Sequence, residues 1–337
     1  MKPRVFLLLV FLVILSFRAF CSDPSPEVSS EGLESFISKT LFIDGFAVTE
    51  SSLGGIPLVV TIPLKRAGKL FMIEATIDKE TGNFLFDTGS QHLLLNSIYF
   101  RKYMTGNVIS AGGSTGAVGK VTQTRIRQLD ISGIKNDNIA ADIADLGHLE
   151  NRRGVKIFGL FGFAMMKNME VVIDAPHSQL RIYRLDRNGR RLSTTDTEFR
   201  TDLTQKAELY NDVIFLQATI AGKALCFCFD TGAESNVLSN WLPKKIMSTV
   251  TITSQSNMNG VGTASEDVLY GKLNDFTLSS HSMPGMPVII TSLENMSEAF
   301  DHNLDGMLGF DFLNQGIISV NLMTKEFRMA FTKGAKP

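Results

Sequence analysis

Short hydrophobic segments rich in β-branched and aromatic residues recur along most of the chain, separated by turn-forming residues. Runs of this length, bounded by Gly, Pro, Asn and Asp, are typical of β-strands. The pattern predicts strands at residues 70–77, 83–86, 171–173, 180–185, 213–220 and 317–322. Brief helices are predicted at residues 94–101, 234–239 and 296–300. Because long stretches with the helical period are scarce, we predict an all-β fold.

The hydrophobic pattern is repeated within the chain. A shift of 143 positions places residues 75–77 on 218–220 and Phe84 on Phe227. A shift of 147 positions places residues 157–163 on 304–310. A repeat of about 145 residues is longer than a solenoid unit and has the size of a whole lobe. The sequence therefore predicts two homologous lobes.

A chain of 337 residues has room for two hydrophobic cores, since domains commonly contain about 100–200 residues. The first residues after a possible leader are polar and show little periodicity, which fits a mobile arm, an added strand or a short propeptide. We divide the chain into a signal peptide (1–21), an N-terminal arm (22–45), a first lobe (46–187), an interlobe linker (188–200) and a second lobe (201–333).

The N-terminus has the pattern of a secretory signal. Lys2 and Arg4 precede an apolar run at residues 5–15, and small and polar residues follow from position 19. The apolar run is shorter than the roughly 20 residues that a membrane helix needs. We therefore expect an exported protein that contacts a membrane only if this segment stays uncleaved or if Cys21 carries a lipid.

Charge and metal-binding residue types exclude several classes of protein. The chain has 33 basic and 34 acidic residues, largely scattered, so the basic surface of a nucleic-acid-binding protein is not expected. Its five histidines lack the spacing of zinc ligands. Cys226 and Cys228 lie two apart on a predicted strand and are interpreted as small core residues. No metal and no organic cofactor is predicted.

The tripeptide Asp-Thr-Gly occurs twice in nearly the same setting, at Asp87 and at Asp230. Each copy directly follows a hydrophobic strand. A carboxylate held at such a glycine turn can form half of an acid/base pair, and this chain encodes both halves. Two carboxyls about 3 Å apart do not both ionise easily, so the pair would hold one proton.

Each Asp-Thr-Gly is followed downstream by two hydrophobic residues and a glycine, which are Leu160-Phe161-Gly162 and Met307-Leu308-Gly309. This ordered set resembles the aspartic peptidase superfamily, in its duplicated retropepsin-like and pepsin-like form. The resemblance covers nearly all of the chain after residue 60. It implies a bilobal double β-barrel in which each lobe contributes one aspartate to a shared cleft.

The resemblance also implies roles for the residues of the two turns. Thr88 and Thr231 would form hydrogen bonds to the backbone of the opposite lobe and keep the carboxyls coplanar. Gly89 and Gly232 would leave room for the close approach, and their N–H groups would donate to the carboxylates. These four residues would support the site without taking part in the chemistry.

The neighbours of these residues predict an asymmetric site. Ser90 could donate a hydrogen bond to the outer oxygen of Asp87, whereas Ala233 cannot do so for Asp230. Gly162 and Gly309 match the family element that passes behind each catalytic turn, where glycine permits close packing.

Glycine-rich segments lie between the motifs of each lobe, at Gly112, Gly113 and Gly116 in the first and at Gly260 and Gly262 in the second. They suit hairpin tips that close over an extended peptide. A phosphate-binding loop is disfavoured because the required Lys-Ser/Thr and strand-to-helix context is missing. No tyrosine occurs between residues 104 and 182, which departs from the pepsin pattern.

Taken together, the residues and the resemblance predict an exported aspartic endopeptidase with Asp87 and Asp230 as catalytic residues and a polypeptide as substrate. Because both aspartates lie on one chain, we expect a monomer. The alternative is a peptide-binding protein of the same fold that has lost turnover. A surface adhesion or scaffold module would leave the paired aspartates unexplained.

Overall fold

The computed structural model describes residues 40–43, 46–49, 57–104, 108–113, 116–193, 200–259 and 265–332. The predicted signal peptide lies outside the described residues, as do most of the N-terminal arm, the centre of the linker, Gly260 and Gly262. The proposed domain boundaries therefore stay predictions.

The described residues form 26 β-strands with a few short helices. The strands up to the linker are β1 (Thr40–Ile43), β2 (Phe46–Thr49), β3 (Val59–Pro63), β4 (Lys65–Ala67), β5 (Leu70–Ile77), β6 (Glu80–Phe86), β7 (Leu93–Asn96), β8 (Val108–Gly113), β9 (Gly116–Ile131), β10 (Ile134–Ala144), β11 (Gly159–Phe161), β12 (Met169–Asp174) and β13 (Gln179–Arg184). Those after it are β14 (Leu203–Lys206), β15 (Glu208–Tyr210), β16 (Val213–Ile220), β17 (Lys223–Phe229), β18 (Asn236–Ser239), β19 (Val250–Asn259), β20 (Ser265–Leu273), β21 (Thr277–Leu278), β22 (His281–Ser282), β23 (Met286–Thr291), β24 (Gly306–Leu308), β25 (Gly316–Asn321) and β26 (Glu326–Phe331). The helices are α1 (Gly147–Arg153), α2 (Lys244–Met247), α3 (Glu294–Phe300) and α4 (Phe310–Leu313), with 3-10 turns at Arg101–Tyr103 and Phe163–Met166.

The structure confirms the predicted all-β class and all six predicted strands, two of which, β5 and β16, have the predicted bounds. The predicted helix at 296–300 lies in α3. The helices predicted at 94–101 and 234–239 were wrong, since residues 94–96 belong to strand β7 and residues 236–239 form strand β18. Both strands are buried on both faces. A short continuous apolar run of this kind does not distinguish a central strand from a helix.

The first lobe contains a closed barrel of six strands. Its strands follow the order β5, β6, β11, β7, β10 and β9, and β9 pairs again with β5 to complete the ring. Strand β11 pairs in parallel with β6 and antiparallel with β7. This insertion puts the end of β6, and so the first Asp-Thr-Gly turn, beside the glycine element that follows β11.

The second lobe has the same order in its strands β16, β17, β24, β18, β23 and β20. Within the described residues β16 pairs with β21 rather than with β20, so this sheet forms an open half-barrel. Strand β24 again lies beside the strand that leads into the second Asp-Thr-Gly turn, β17, in parallel register. The two lobes thus present their Asp-Thr-Gly turns from equivalent strand ends, which confirms the expected double-barrel architecture.

A six-stranded antiparallel sheet joins the lobes, in the order β14, β26, β25, β12, β13 and β3. Strands β3, β12 and β13 come from the first lobe, and the other three come from the second. One face of this sheet, with Val171, Ile182 and Val320, belongs to a hydrophobic core that continues into both lobes. Because the junction is a hydrogen-bonded sheet with a shared core, the lobes meet in one defined orientation.

The other face of the joining sheet carries a buried carboxylate, Glu170, whose side chain is only 2% exposed. Arg191 donates to it from Nε at 3.0 Å and from Nη2 at 2.8 Å, and Arg328 and Ser319 also donate to it. Burial raises the pKa of Glu170, but the hydrogen bonds from Arg191 and Ser319 and the two arginine charges outweigh burial, so the pKa lies below its ordinary value. Strands β12, β25 and β26 are thereby tied together across the lobe boundary.

We predict that Glu170→Gln destabilises the protein by about 3–5 kcal/mol near neutral pH, because it leaves two partly buried arginines without their buried carboxylate. The lowered pKa means that this contribution is present above about pH 4.3 and is lost as the pH falls through the folded-state pKa. Urea unfolding at several pH values measures both effects. The control is Glu74→Gln, since the Glu74 side chain is 61% exposed in its pair with Lys65 and should contribute less than about 1 kcal/mol. Equal losses in the two variants would contradict the assignment.

Candidate active site

Each Asp-Thr-Gly turn is held by the strand beside it. The N–H of Asp87, directly after β6, donates to the carbonyl oxygen of Phe161 at 3.0 Å. The N–H of Asp230, directly after β17, donates to the carbonyl oxygen of Leu308 at 3.0 Å. The same hydrogen bond thus sets the start of both turns.

Glycines pack closely behind both turns. A Cβ atom added to Gly162 would lie 2.5 Å from the carbonyl oxygens of Asp87 and Ser90. A Cβ atom added to Gly309 would lie 2.5 Å from the carbonyl oxygen of Ser235. Any side chain at either glycine would therefore displace the neighbouring Asp-Thr-Gly turn, which accounts for glycine at both positions.

The two threonines form reciprocal hydrogen bonds across the lobe boundary. The Thr88 hydroxyl donates to the carbonyl oxygen of Phe229 at 2.9 Å, and the Thr231 hydroxyl donates to that of Phe86 at 2.5 Å. Each hydroxyl oxygen also accepts the N–H of the other threonine at 3.0 Å. Both threonines are fully buried, so this network fixes the two turns against each other without help from water.

Each carboxyl lies against the glycine of the opposite turn. A Cβ atom on Gly89 would come within 2.8 Å of the Asp230 carboxyl carbon, and one on Gly232 within 2.6 Å of the Asp87 carboxyl carbon. The N–H of Gly89 is shared between Oδ1 of Asp87, at 3.1 Å, and Oδ1 of Asp230, at 3.2 Å. The N–H of Gly232 donates to Oδ1 of Asp230 at 2.7 Å. Only glycine allows this approach.

The two carboxyls form one hydrogen-bonded, buried pair, with Asp87 3% and Asp230 1% exposed. Burial raises the pKa of both residues. For Asp87 the neighbouring Asp230 raises the pKa further, while the N–H groups of Gly89 and Ser90 lower it. For Asp230 the hydrogen bonds from Asp87, Gly232 and Gly89 partly offset burial. Because burial raises the pKa of both carboxyls and the two groups interact directly, the singly protonated form of the pair is favoured.

Ser90 does not make the hydrogen bond that we expected. Its hydroxyl donates to the carbonyl oxygen of His92 at 2.8 Å, and its N–H donates to the carbonyl oxygen of Asp87 at 3.1 Å. A serine hydroxyl has one hydrogen, so it does not donate to the Asp87 carboxyl in this arrangement. The buried Ala233 offers no hydroxyl on the other side. The Ser90 hydroxyl is therefore not a source of asymmetry at the pair.

The glycine-rich segment of the first lobe is a hairpin of β8 and β9, in which Gly113 pairs with Gly116 and Gly112 with Ala117. Strand β8 approaches α3 of the second lobe, with Cα atoms within 8 Å. The hairpin therefore extends from one lobe to the other. Gly260 and Gly262, the expected flap residues of the second lobe, lie outside the described residues.

Sequence reasoning missed one ion pair next to the second turn. Arg153, at the end of α1 in the first lobe, lies 3.2 Å from Glu234 in the second, measured from Nη2 to Oε1. Glu234 follows Gly232 by two residues, and this short distance along the chain was the one feature of the sequence that could have indicated a role near the site. Nothing in the local pattern around Arg153 indicates a partner in the other lobe.

Other reactive groups do not form a second centre in the described part of the chain. Cys226 and Cys228 are free and buried, and burial raises the pKa of Cys226 to about 12. Among the described residues no three His, Cys, Asp or Glu side chains are grouped to hold a metal ion. No helix within the described ranges has the length and apolarity needed to span a membrane.

Comparison with known proteins agrees with this geometry. A family model described as aspartyl protease matches residues 216–312, which include Asp230 and Gly309. No curated protein matches the chain. The matched segment lies in the second lobe, and the first lobe repeats its strand order and its motifs. Together with the double-barrel sheets, this match supports assigning the chain to the aspartic peptidase superfamily.

We predict that the carboxyl pair makes the protein less stable as the pH rises. A raised pKa means that the folded state binds more protons than the unfolded state, so the stabilisation is complete below about pH 4 and is lost as the pH rises toward the folded-state pKa. The slope approaches about 1.4 kcal/mol per pH unit for one proton. Asp87→Asn should flatten this slope and raise the stability at pH 7.

Chemical denaturation between pH 4 and 8 measures the slope. The matched control is Asp137→Asn. The Asp137 carboxyl is exposed and does not stabilise the pair, so this variant should keep the slope of the unchanged protein. A slope that is the same in all three proteins would show that the pair does not retain its proton.

Proposed function

We propose that this protein is an aspartic endopeptidase that hydrolyses peptide bonds with a water activated between Asp87 and Asp230. One observation carries the proposal: two buried carboxyls, hydrogen-bonded to each other, are each held against the catalytic turn of the opposite lobe. Membership of the aspartic peptidase superfamily supports it.

The hydrogen bonds favour the ionised form at Asp230. Its Oδ1 accepts the short bond from Gly232 and shares the N–H of Gly89, whereas Oδ1 of Asp87 accepts only the longer shared bond from Gly89. Hydrogen bonds from backbone N–H groups stabilise a carboxylate and lower its pKa. We therefore assign the shared proton to Asp87 in the resting state.

The reaction then proceeds without a covalent intermediate. Asp230 removes a proton from the water, the water oxygen attacks the scissile carbonyl carbon, and Asp87 gives its proton to the carbonyl oxygen. The product of this step is a neutral tetrahedral diol. Asp230 next donates the proton that it gained to the amide nitrogen, the C–N bond breaks, and Asp87 recovers a proton from the diol. Both residues act as acid and base within one cycle.

The substrate is a polypeptide bound in an extended conformation. The β8–β9 hairpin, which extends toward α3, suits a flap over such a chain and would exclude water from the buried pair. Both aspartates belong to one chain, so we propose that a monomer is active. Asp87 and Asp230 need no bound metal for the steps above.

We predict that the purified protein cleaves denatured casein in an acidic pH range, since the pair must hold one proton. Asp87→Asn and Asp230→Asn should each lower the rate by at least about 100-fold, because each removes an acid/base group. Asp137→Asn is the surface control and should keep full activity. Pepstatin, a statine-containing mimic of the tetrahedral intermediate, should inhibit.

Gel electrophoresis of casein digests between pH 3 and 8 gives the rates. A folded protein that binds pepstatin and cleaves nothing at any pH would favour the peptide-binding alternative. Cleavage that both aspartate variants retain would contradict the proposed mechanism.

We also propose that the protein is exported, on the basis of its charged and then apolar N-terminus. Secretion by the source cell should yield a mature chain that starts close to residue 22. N-terminal sequencing of protein from outside the cytoplasm measures this. A chain that remains in the cytoplasm and keeps Met1 would contradict export.

A further inference from the structure

Arg153 is a buried charged residue with only part of its hydrogen-bonding capacity used. Its side chain is 7% exposed and that of its partner Glu234 is 16% exposed. The Nη2 atom contacts Glu234, whereas Nε and Nη1 have no acceptor within hydrogen-bond distance among the described residues. Buried donors of this kind are rare in folded proteins because each costs free energy while it remains without a partner.

The position of the pair connects it to the catalytic centre. Glu234 is four residues beyond Asp230, immediately after the turn that Gly309 supports. The tip of the β4–β5 hairpin also reaches this point, since a Cβ atom on Gly68 would lie 3.5 Å from Oε1 of Glu234. Arg153 and the β4–β5 hairpin of the first lobe therefore meet the second lobe four residues beyond Asp230, and the two unpartnered donors of Arg153 are buried there.

Local charge decides what kind of acceptor suits these donors. The carboxyl pair carries a negative charge when it holds one proton, and Glu234 already balances the positive charge of Arg153. A second carboxylate would raise the negative charge in a buried region, which is costly. A neutral carbonyl oxygen satisfies the donors without adding charge, and peptide main chains supply such oxygens at regular intervals.

We infer that Arg153 is a substrate-recognition residue whose Nε and Nη1 groups bind main-chain carbonyl oxygens of an extended peptide, away from the scissile bond. This inference rests on the proposed function for its ligand. Glu234 orients the guanidinium and balances its charge, so binding at this point does not depend on the peptide's side chains. The pair thereby adds affinity for longer peptides.

The test measures binding of fluorescein-labelled pepstatin and of two analogues, each shortened by one residue, at the N-terminus or at the C-terminus. Arg153→Lys keeps a positive charge for Glu234 but loses Nε and Nη1. It should raise the Kd of pepstatin about 10-fold or more, which corresponds to loss of one or two hydrogen bonds from a charged donor. The effect of Arg153→Lys on the Kd should be absent for the analogue shortened at one end and should persist for the analogue shortened at the other end.

Lys69→Met is the matched control. Lys69 forms another ion pair between the lobes, with Asp311 at 2.8 Å, but its side chain is 42% exposed. This variant should leave all three Kd values unchanged. If Arg153→Lys does not fold, the double variant Arg153→Met with Glu234→Met removes the pair without leaving a buried charge, and the same dependence on ligand length is expected.

Three results would overturn the inference: no change in Kd on Arg153→Lys, the same change for all three ligands, or an equal effect of Lys69→Met. A loss confined to peptides with acidic side chains, measured with substituted analogues, would also overturn it in favour of carboxylate recognition. Failure of the proposed function would be a separate result. Protein that cleaves no casein but still binds pepstatin through Arg153 would lack the activity and retain the recognition site.

Discussion

Two buried carboxyl groups approach each other within hydrogen-bond distance, and the rest of the structure holds them in this unfavourable contact. Among the described residues no buried cation is paired with Asp87 or Asp230; the pair relies on one shared proton and on backbone N–H groups. The contacts leave no space for adjustment, because the carboxyl of each lobe touches the glycine of the other. Chemistry at this point requires both lobes to be fixed relative to each other within a fraction of an ångström.

Three levels of structure meet this requirement. The reciprocal hydrogen bonds of Thr88 and Thr231 fix the turns directly. Gly162 and Gly309 allow the strands behind the turns to pack against their carbonyl oxygens. The six-stranded sheet and the buried Glu170 cluster then join the lobes away from the site. Each level restricts a motion that the others permit, so the geometry of the pair is a property of the whole chain.

The lobes are similar but not equivalent, and the differences lie near the site. One sheet closes into a barrel while the other remains a half-barrel within the described residues. Asp230 accepts the shorter hydrogen bond from a glycine N–H, and the Arg153–Glu234 pair lies only beside the second turn. A symmetric pair of carboxyls has no preferred acid or base. These differences supply the preference, and they place a recognition residue on one side of the centre.

The sequence by itself determined the strands, the two lobes and the residues of the two turns. These features are local, since a strand pattern followed by Asp-Thr-Gly carries its own turn, and the repeat shows that it occurs twice. Tertiary structure alone decided the partner of the Ser90 hydroxyl, the strand character of residues 236–239 and the pairing of Arg153 with Glu234. Each of these depends on which side chains meet after folding, and contacts between residues far apart in the chain leave no local signal in it.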